Sequence, residues 1–236
     1  MTELAEAERA LHDRTRLSGA VEAWEEDGLL AVRADSVKLR FLNTINGVTE
    51  RNLAAAIRLA ASPRWRGGAP VIIVPPGLDT EVLPDAGFVP SVPSGHRLLA
   101  TRPLEDVPPP DPGVAETLGT GLFLKVLLDG YQSTGAISRL IAVEHSAPGI
   151  RRFLLGNVAA AALSVHGTTA VLGGAATLPE HRGEGAQRRL LAHRVAVAAG
   201  LGCRLAVATA APDSPSAANL ARSGFRLHLR PAWTQP

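Results

Sequence analysis

The apolar and polar positions of the chain fall into two runs of elements. In the first run residues 3–15 read as a helix, and GLLAVRA (28–34) and SVKLRFLN (36–43) read as strands, the second alternating in its early part. TERNLAAAIRLAAS continues as a helix with Thr49 as its cap, since a hydroxyl there can accept an unpaired amide. APVIIVPP is a short buried strand, DTEVLPDAGFVPS a short helix ending at Gly87, and HRLLATR another strand.

The second run begins with GLFLKVLLDGYQSTGAISRLIAVEH (121–145), read as two helices broken at Asp129-Gly130. Strands follow at 151–155, 158–166 and 168–178, joined by tight turns at Gly156-Asn157 and at Gly167. A helix then runs from about Ala186 to Ala199, with Leu191, Val195 and Ala198 on one packing face and Arg188 and Arg189 pointing elsewhere. Gly200 and Gly202 end it, and a strand (203–210), a short helix (214–223) and a strand from Gly224 complete the chain.

Between the runs lies RPLEDVPPPDPGVAE (102–116), whose five prolines preclude a continuous helix or a central strand and read as a semi-rigid linker. The halves echo each other weakly: strand, short helix, DAGF, strand in the first, and strand, short helix, RSGF, strand in the second. Phe88 and Phe225 hold the same place. On this pattern alone, a duplicated module and a coincidence of two Gly-Phe pairs stand equally open.

Composition narrows the function classes. At 236 residues with 46% apolar but only 4% aromatic residues, the chain can bury a real core, built from Ala, Leu and Val. A formal net charge of +2 and the lack of a basic run interleaved with aromatics argue against nucleic acid as a partner. The single cysteine, Cys203, excludes a disulfide framework and a multi-cysteine zinc site, and no metal centre is expected. The N-terminus is charged throughout, and no apolar run approaches the roughly 18 residues of a membrane span, so a cytoplasmic protein without membrane association is expected.

The stretch that carries chemistry is LPEHRGEGAQRRLLAHR (178–194). Two glycines one residue apart precede a helix whose first amides lack intrahelical partners and whose dipole adds positive potential. Such an end is suited to a phosphate or pyrophosphate. No Gly-Lys-Ser/Thr follows, and the third glycine and distal acid of a dinucleotide fingerprint are missing. Taken alone, Gly-x-Gly before a helix reads as well as a simple tight turn.

Its context resembles the GNAT superfamily of acyl-CoA-dependent N-acyltransferases: an antiparallel strand pair, the loop, a helix, a strand, then NLARSGF, over residues 118–236. Arg182, Gly183, Glu184, Gly185 and Ala186 match the start of the family's loop, with Gln187 departing from the small residue expected at its close. The resemblance implies an α/β (α+β) fold of two such modules, each a mixed, mostly antiparallel sheet flanked by helices, with a V-shaped strand splay in the C-terminal one. The N-terminal copy (1–103) would be degenerate, 104–116 the linker, and 117–236 the acetyltransferase domain. It further implies that the amides from Arg182 to Arg188 hold the pyrophosphate of coenzyme A. The strand around Ala175, Ala176, Thr177 and Leu178 would pair with the pantetheine arm, and Asn219 would touch that arm or the acyl carbonyl.

The implied reaction is acetyl transfer from acetyl-CoA to a primary amine of a small molecule, such as an amino acid, an amino sugar or an antibiotic-like amine, in a monomer or homodimer. Many members place a tyrosine as acid where this chain has Leu220, and the strand before the loop has no glutamate base. Tyr131, the single tyrosine, is a candidate donor to substrate or thiolate, and His166 a candidate base. Asp129 and Glu144 are candidate carboxylates for a cationic amine, while Glu180, His181 and His145 read as solvated or helical positions. With the usual acid and base missing, a coenzyme A-binding module without turnover is the alternative; acylation of a protein amine has no specific feature behind it.

Overall fold

A computed structural model describes residues 2–17, 19–92 and 95–236. The elements of the first half are α1 (Glu3–Arg16), β1 (Glu22–Glu26), β2 (Leu29–Arg33), β3 (Thr44–Asn46), α2 (Leu53–Ala60), β4 (Val71–Ile73), α3 (Val82–Asp85), β5 (Val89–Pro90) and β6 (His96–Pro103). The second half adds β7 (Val114–Thr117), α4 (Gly121–Tyr131), α5 (Gly135–Ser146), β8 (Arg151–Leu155), β9 (Ala159–His166) and β10 (Thr169–Thr177). It closes with α6 (Ala186–Gly200), β11 (Leu205–Ala210), α7 (Pro215–Arg222) and β12 (Arg226–Thr234). No helix among the described residues is long and apolar enough to cross a membrane.

The strands form one twelve-stranded, mostly antiparallel sheet in the order β1-β2-β3-β4-β12-β6-β11-β10-β9-β8-β7, with β5 also on β12. This is the mixed sheet flanked by helices that the family resemblance implied, formed here as one continuous sheet. The alanine-rich β9 suits its place, because Ala159, Ala161 and Leu163 pack in the core under α6 while Ala160 and Ala162 pack in the core under α4. Small side chains let helices approach both faces closely. Gly130 does the same for α4: a methyl group there would lie 2.8 Å from Ala176 Cβ and 3.1 Å from the Thr177 carbonyl oxygen.

The two halves share strands. β6, from the first half, lies antiparallel between β11 and β12 of the second. β12 runs on past it, pairing Ala232 and Trp233 with Ile73 and Ile72 of β4, and Trp233 and Thr234 with Pro90 and Val89 of β5. α1 bridges the halves on one face. Its Ala7 packs with Leu99, Leu205 and Val207, Glu6 accepts from the Thr169 hydroxyl at 2.6 Å, and Glu8 meets Arg230 at 2.9 Å. Thr2 caps α1 by accepting from the Ala5 amide, and acids in the first turn with arginines in the last suit the helix dipole.

The Gly-Phe echo is structural. Gly87 (φ 81°) and Gly224 (φ 80°) both end a short helix in the left-handed region. Phe88 N–H donates to Leu83 O at 3.0 Å and Phe225 N–H to Leu220 O at 3.1 Å, with both rings buried. One backbone motif recurs at the same point of each half.

Several local expectations are corrected. Residues 36–43 are not a strand: Val37–Leu42 is a 3-10 helix, with Val37 and Phe41 exposed. The buried Asn43 side chain accepts from Ala34 N–H and donates to Gly68 O, both at 2.8 Å, turning the chain so that β3 rather than this segment pairs β2. Thr49 does not cap α2; Asn52 holds that position, and its Oδ1 accepts from Thr49 N–H at 2.7 Å. Asp129 and Gly130 lie within α4, and the break falls after Tyr131, where Gln132 turns left-handed. The proline-rich stretch gives way to β7, which pairs with β8. Asp111 in that stretch is clamped to α6 by both branches of Arg189, at 2.7 and 2.9 Å.

Candidate active site

β10 runs through a short 3-10 turn (Pro179–His181) into the glycine loop, where Gly183 (φ 88°) and Gly185 (φ 82°) take left-handed conformations that cost an L side chain about 1–2 kcal/mol. The first helical bond of α6 is Arg189 N–H to Gly185 O at 3.1 Å. The amides of residues 183–188 therefore have no bonded acceptor among the described residues. A side chain at Gly183 would meet nothing within 4 Å, and one at Gly185 only Arg188 Nη2 at 3.9 Å, so there is open space beside the loop. Exposed Arg188 adds positive charge, while Arg182 is tied back to Gly130 O at 2.8 Å. Glu184 keeps its carboxylate on His181 at 3.4 Å. This loop can hold a diphosphate.

β10 and β11 are paired in parallel only over Thr169–Leu205, Ala170–Ala206 and Val171–Val207. Beyond these pairs both strands continue unpaired with each other, which is the V-shaped splay. A cavity of about 340 Å³ occupies the gap, with Tyr131, Gly174, Ala175, Gln187, Arg194 and Asn219 among its walls. Ala176 and Thr177 pair with β9, and Leu178 N–H bonds Val158 O at 2.9 Å, so one edge of β10 is taken and the edge along the gap is open. Gln187 donates to Thr177 Oγ1 at 2.8 Å, and Asn219 Oδ1 accepts from Arg222 at 2.7 Å.

The register of β10 on β9 slips between Gly173 and Ala175, leaving Gly174 (φ 58°) as a bulge. The Ala175 N–H, displaced from the ladder, donates instead to the Tyr131 hydroxyl at 2.9 Å. Burial pushes the Tyr131 phenol above its ordinary value, against the pull of the Ala175 amide, Arg194 and Arg14, so it holds its proton at neutral pH. An amide donor and a protonated hydroxyl thus meet at the mouth of the splay. Leu220 is buried in the core, consistent with its lack of acid chemistry.

Across the bulge from α6 stands a polar cluster that includes a residue of the first half. Arg14 donates to Ser164 Oγ at 3.2 Å and to His145 Nε2 at 3.3 Å. His145 Nδ1 lies 2.8 Å from Ile141 O, so Nδ1 carries the hydrogen and Nε2 accepts. Burial, then Arg14, lowers His145 to about 4, and the ring is neutral at pH 7. Burial raises the half-buried Glu144 carboxyl, with Arg14 opposing. His166 sits 3.0 Å from Ser164 Oγ and is lowered by burial. On the other side Arg194, lowered to about 10 chiefly by burial, donates to Leu190 O at 3.2 Å, Ala162 O at 3.0 Å and Gly173 O at 3.5 Å.

The structure thus brings Tyr131, Gln187 and Asn219 to one cavity and sets Glu144 within electrostatic reach of Tyr131 and Arg14. Asp129 lies apart, in an exposed ion pair with Lys125 at 2.7 Å, and neither Glu144 nor His166 is among the cavity walls. The sequence pointed to Ala175 only as part of the strand beside the pantetheine arm; its bond to Tyr131 had no signal in the motifs, and neither did Arg14 or Arg194. The adjacent glycines 173 and 174 inside a strand pattern were an available signal for a bulge. Elsewhere His12, Asp13 and Glu25 bring ligand atoms within 4.8 Å of one another. Arg9 and Arg16 occupy Glu25 at 2.9 and 3.7 Å, making that group an ion-pair network.

A parallel pair that opens beside a loop of unpaired amides, above a bulged strand, can hold a phosphate-bearing ligand along the strand gap. Residues 130–225 match the model of the Acetyltransferase (GNAT) family. Residues 130–225 therefore carry the pattern of the GNAT superfamily, an acyltransferase class that moves an acyl group from an acyl-CoA to an amine. Among solved structures, a GCN5-related N-acetyltransferase from Kribbella flavida superposes with a TM-score of 0.65 at 18% identity, covering 99% of this chain and 94% of that one. One from Sphaerobacter thermophilus gives 0.60 at 14% identity, covering 98% and 91%. A tandem GNAT protein from the clavulanic acid biosynthesis pathway gives 0.52 at 17% identity, covering 91% and 83%. These likenesses establish the fold across nearly the whole chain. No curated protein matches it.

Proposed function

We propose that the C-terminal half transfers an acetyl group from acetyl-CoA to the primary amine of a small molecule, by direct attack in a ternary complex. The observation that carries this reading is the row of open amides at residues 183–188 beside the strand gap. The loop amides and Arg188 hold the diphosphate, and the open edge of β10 at Ala176, Thr177 and Leu178 takes the pantetheine arm. Gln187 and Asn219 line its path. When bound, acetyl-CoA supplies the thioester carbonyl that the amine attacks.

The chain's own groups then have distinct tasks. The Ala175 N–H, released from Tyr131, donates to the carbonyl oxygen as negative charge develops there. Glu144, its proton affinity raised by burial, receives the ammonium and takes one proton from it, freeing the lone pair that attacks; the second nitrogen proton passes to water once the carbon–nitrogen bond has formed. Tyr131 gives its proton to the sulfur as the carbon–sulfur bond breaks. Positioning supplies much of the remaining acceleration.

On this reading residues 1–103 are a degenerate copy of the same module, joined through 104–116 to the transferase domain at 117–236. Support comes from the shared Gly-Phe motif, and from the carboxylate of Glu8, which accepts from Gly47 N–H at 3.2 Å where the first half would need an open loop. The protein would act on soluble amines in the cytoplasm, as a monomer or homodimer. Release of free thiol from acetyl-CoA, measured against a panel of amino acids, amino sugars and alkyl amines, tests the activity. Tight coenzyme binding with no release across the panel would replace the enzyme by a coenzyme A-binding module.

A further inference from the structure

We infer that the acceptor carries a carboxylate near its amine, as an α-amino acid does, and that Arg14 binds it; this rests on the reading of the C-terminal half as an amine acetyltransferase. The buried arginines among the described residues show what the part-buried Arg14 lacks. Arg230 has Glu8 at 2.9 Å, and Arg33 has Glu22 at 2.7 Å and Asp35 at 3.0 Å. Arg194, without a carboxylate, is held by three main-chain carbonyls. Arg14 has only Ser164 Oγ and the neutral His145 Nε2. Among the described residues no carboxylate comes within 4.0 Å of it, although desolvation is the largest influence on its guanidinium. A desolvated cation with no carboxylate at ion-pair distance is costly, and a ligand carboxylate would reduce that cost with charge-assisted, two-pronged hydrogen bonds.

Its position relative to the reacting atoms fits. A methyl group at Gly173 would lie 2.6 Å from Arg14 Nη2, and one at Gly174 would fall on the His145 ring. The glycine pair therefore lets the guanidinium lie against the main chain of the bulge whose next amide, Ala175, faces the splay. Arg14 enters from α1 and is not among the walls of the cavity that α6 and the glycine loop serve; on this inference the anion it meets is the acceptor's. Glu144, in electrostatic reach of Arg14 but beyond ion-pair distance, is left for the ammonium. One cation and one carboxylate in reach of each other match a zwitterion.

The test compares α-amino acids with their own carboxamides in thiol release at saturating acetyl-CoA. Because a hydrogen bond to a charged group is worth about 1.5–3 kcal/mol, at least one amino acid should exceed its amide by about 10- to 150-fold in kcat/KM. Arg14→Gln should erase that ratio mainly through KM, leave coenzyme A affinity by calorimetry unchanged, and regain part of the ratio as Arg14→Lys. Should Arg14→Gln fail to fold, which lost coenzyme affinity would reveal, the wild-type acid-to-amide ratio still decides. Amides accepted as well as acids, a preference that survives Arg14→Gln, or an Arg14-dependent preference for succinyl-CoA over acetyl-CoA would overturn the inference and leave the transferase reading standing. No thiol release from any amine would overturn both.

Discussion

Replacing Gly185 with aspartate separates folding from coenzyme binding. Gly185 sits at the N-cap of α6 with φ 82° and ψ 6°. A side chain there meets only Arg188 Nη2, at 3.9 Å. Left-handed backbone costs an L residue about 1–2 kcal/mol, aspartate tolerates it better than most, and a capping carboxylate returns about 0.5–2 kcal/mol. The unliganded protein should therefore unfold within about 4 °C of the wild type, since a chain of this size shifts its Tm by about 2–4 °C per kcal/mol. Coenzyme binding should suffer far more. A carboxylate about 5 Å from one phosphate charge, at an effective dielectric constant near 20, repels it by about 3 kcal/mol, a loss of over ~100-fold in affinity. Titration calorimetry with coenzyme A, beside thermal unfolding of the free protein, measures both quantities. Gly185→Asn supplies the uncharged control and should lose much less affinity. Gly185→Asp that binds within threefold of the wild type, with Tm unchanged, would refute the placement of the diphosphate.

Other expectations follow from neighbouring contacts. Tyr131→Phe removes the hydroxyl on the Ala175 amide, and kcat should drop by about 10²-fold or more with coenzyme affinity retained; wild-type turnover would remove Tyr131 as proton donor. His145 is lowered from 6.5 to about 4, so between those values the unfolded chain binds a proton that the folded chain refuses. Stability should accordingly fall as pH drops from 6.5 towards 4, by up to about 3 kcal/mol from this residue. Urea midpoints at pH 7 and pH 4.5 should draw closer together in His145→Gln, and an unaltered gap would argue against this assignment. Gly174→Ala combines a left-handed φ of 58° with a methyl group placed on His145, and should destabilise the fold by about 2–4 kcal/mol. Denaturant curves within 0.5 kcal/mol of wild type, by the usual scale of neutral surface changes, would mean the bulge is not rigid. Glu8→Ala strands the buried Arg230 and should cost about 3–5 kcal/mol on the same assay, whereas a cost under about 1 kcal/mol would show that Arg230 finds another partner.

The parts of this protein that were legible in the sequence are those fixed by short-range physics. The glycine loop and α6 could be read because left-handed turns need glycine and a helix start leaves amides open. The strands from 151 to 177 showed as apolar runs separated by turn residues. Residues 36–43 misled because Val37, Leu39 and Phe41 alternate like a strand, yet one buried side chain, Asn43, redirects the backbone. β1, with the sequence EAWEE, was invisible because an exposed edge strand has little apolar pattern to show. Arg14 had no local signal whatever. Its meaning depends on α1 reaching the far half of the sheet, over 130 residues away in sequence from His145.

That long reach is one of several ways in which the first half is built into the second. It contributes β6 to the middle of the transferase sheet, between β11 and β12, and in exchange receives β12 beside β4 and β5. Cutting the chain at the proline-rich stretch would strip a central strand from one half and a covering strand from the other, exposing unpaired backbone on both sides of each cut. The Gly47 amide donates to Glu8, and that same Glu8 neutralises Arg230 on the shared strand β12. On the proposed reading, the degenerate copy lost its own ligand through the contact that fastens it to its partner. What it supplies in place of a second reaction is a strand, a helix across the sheet, and an arginine at the bulge.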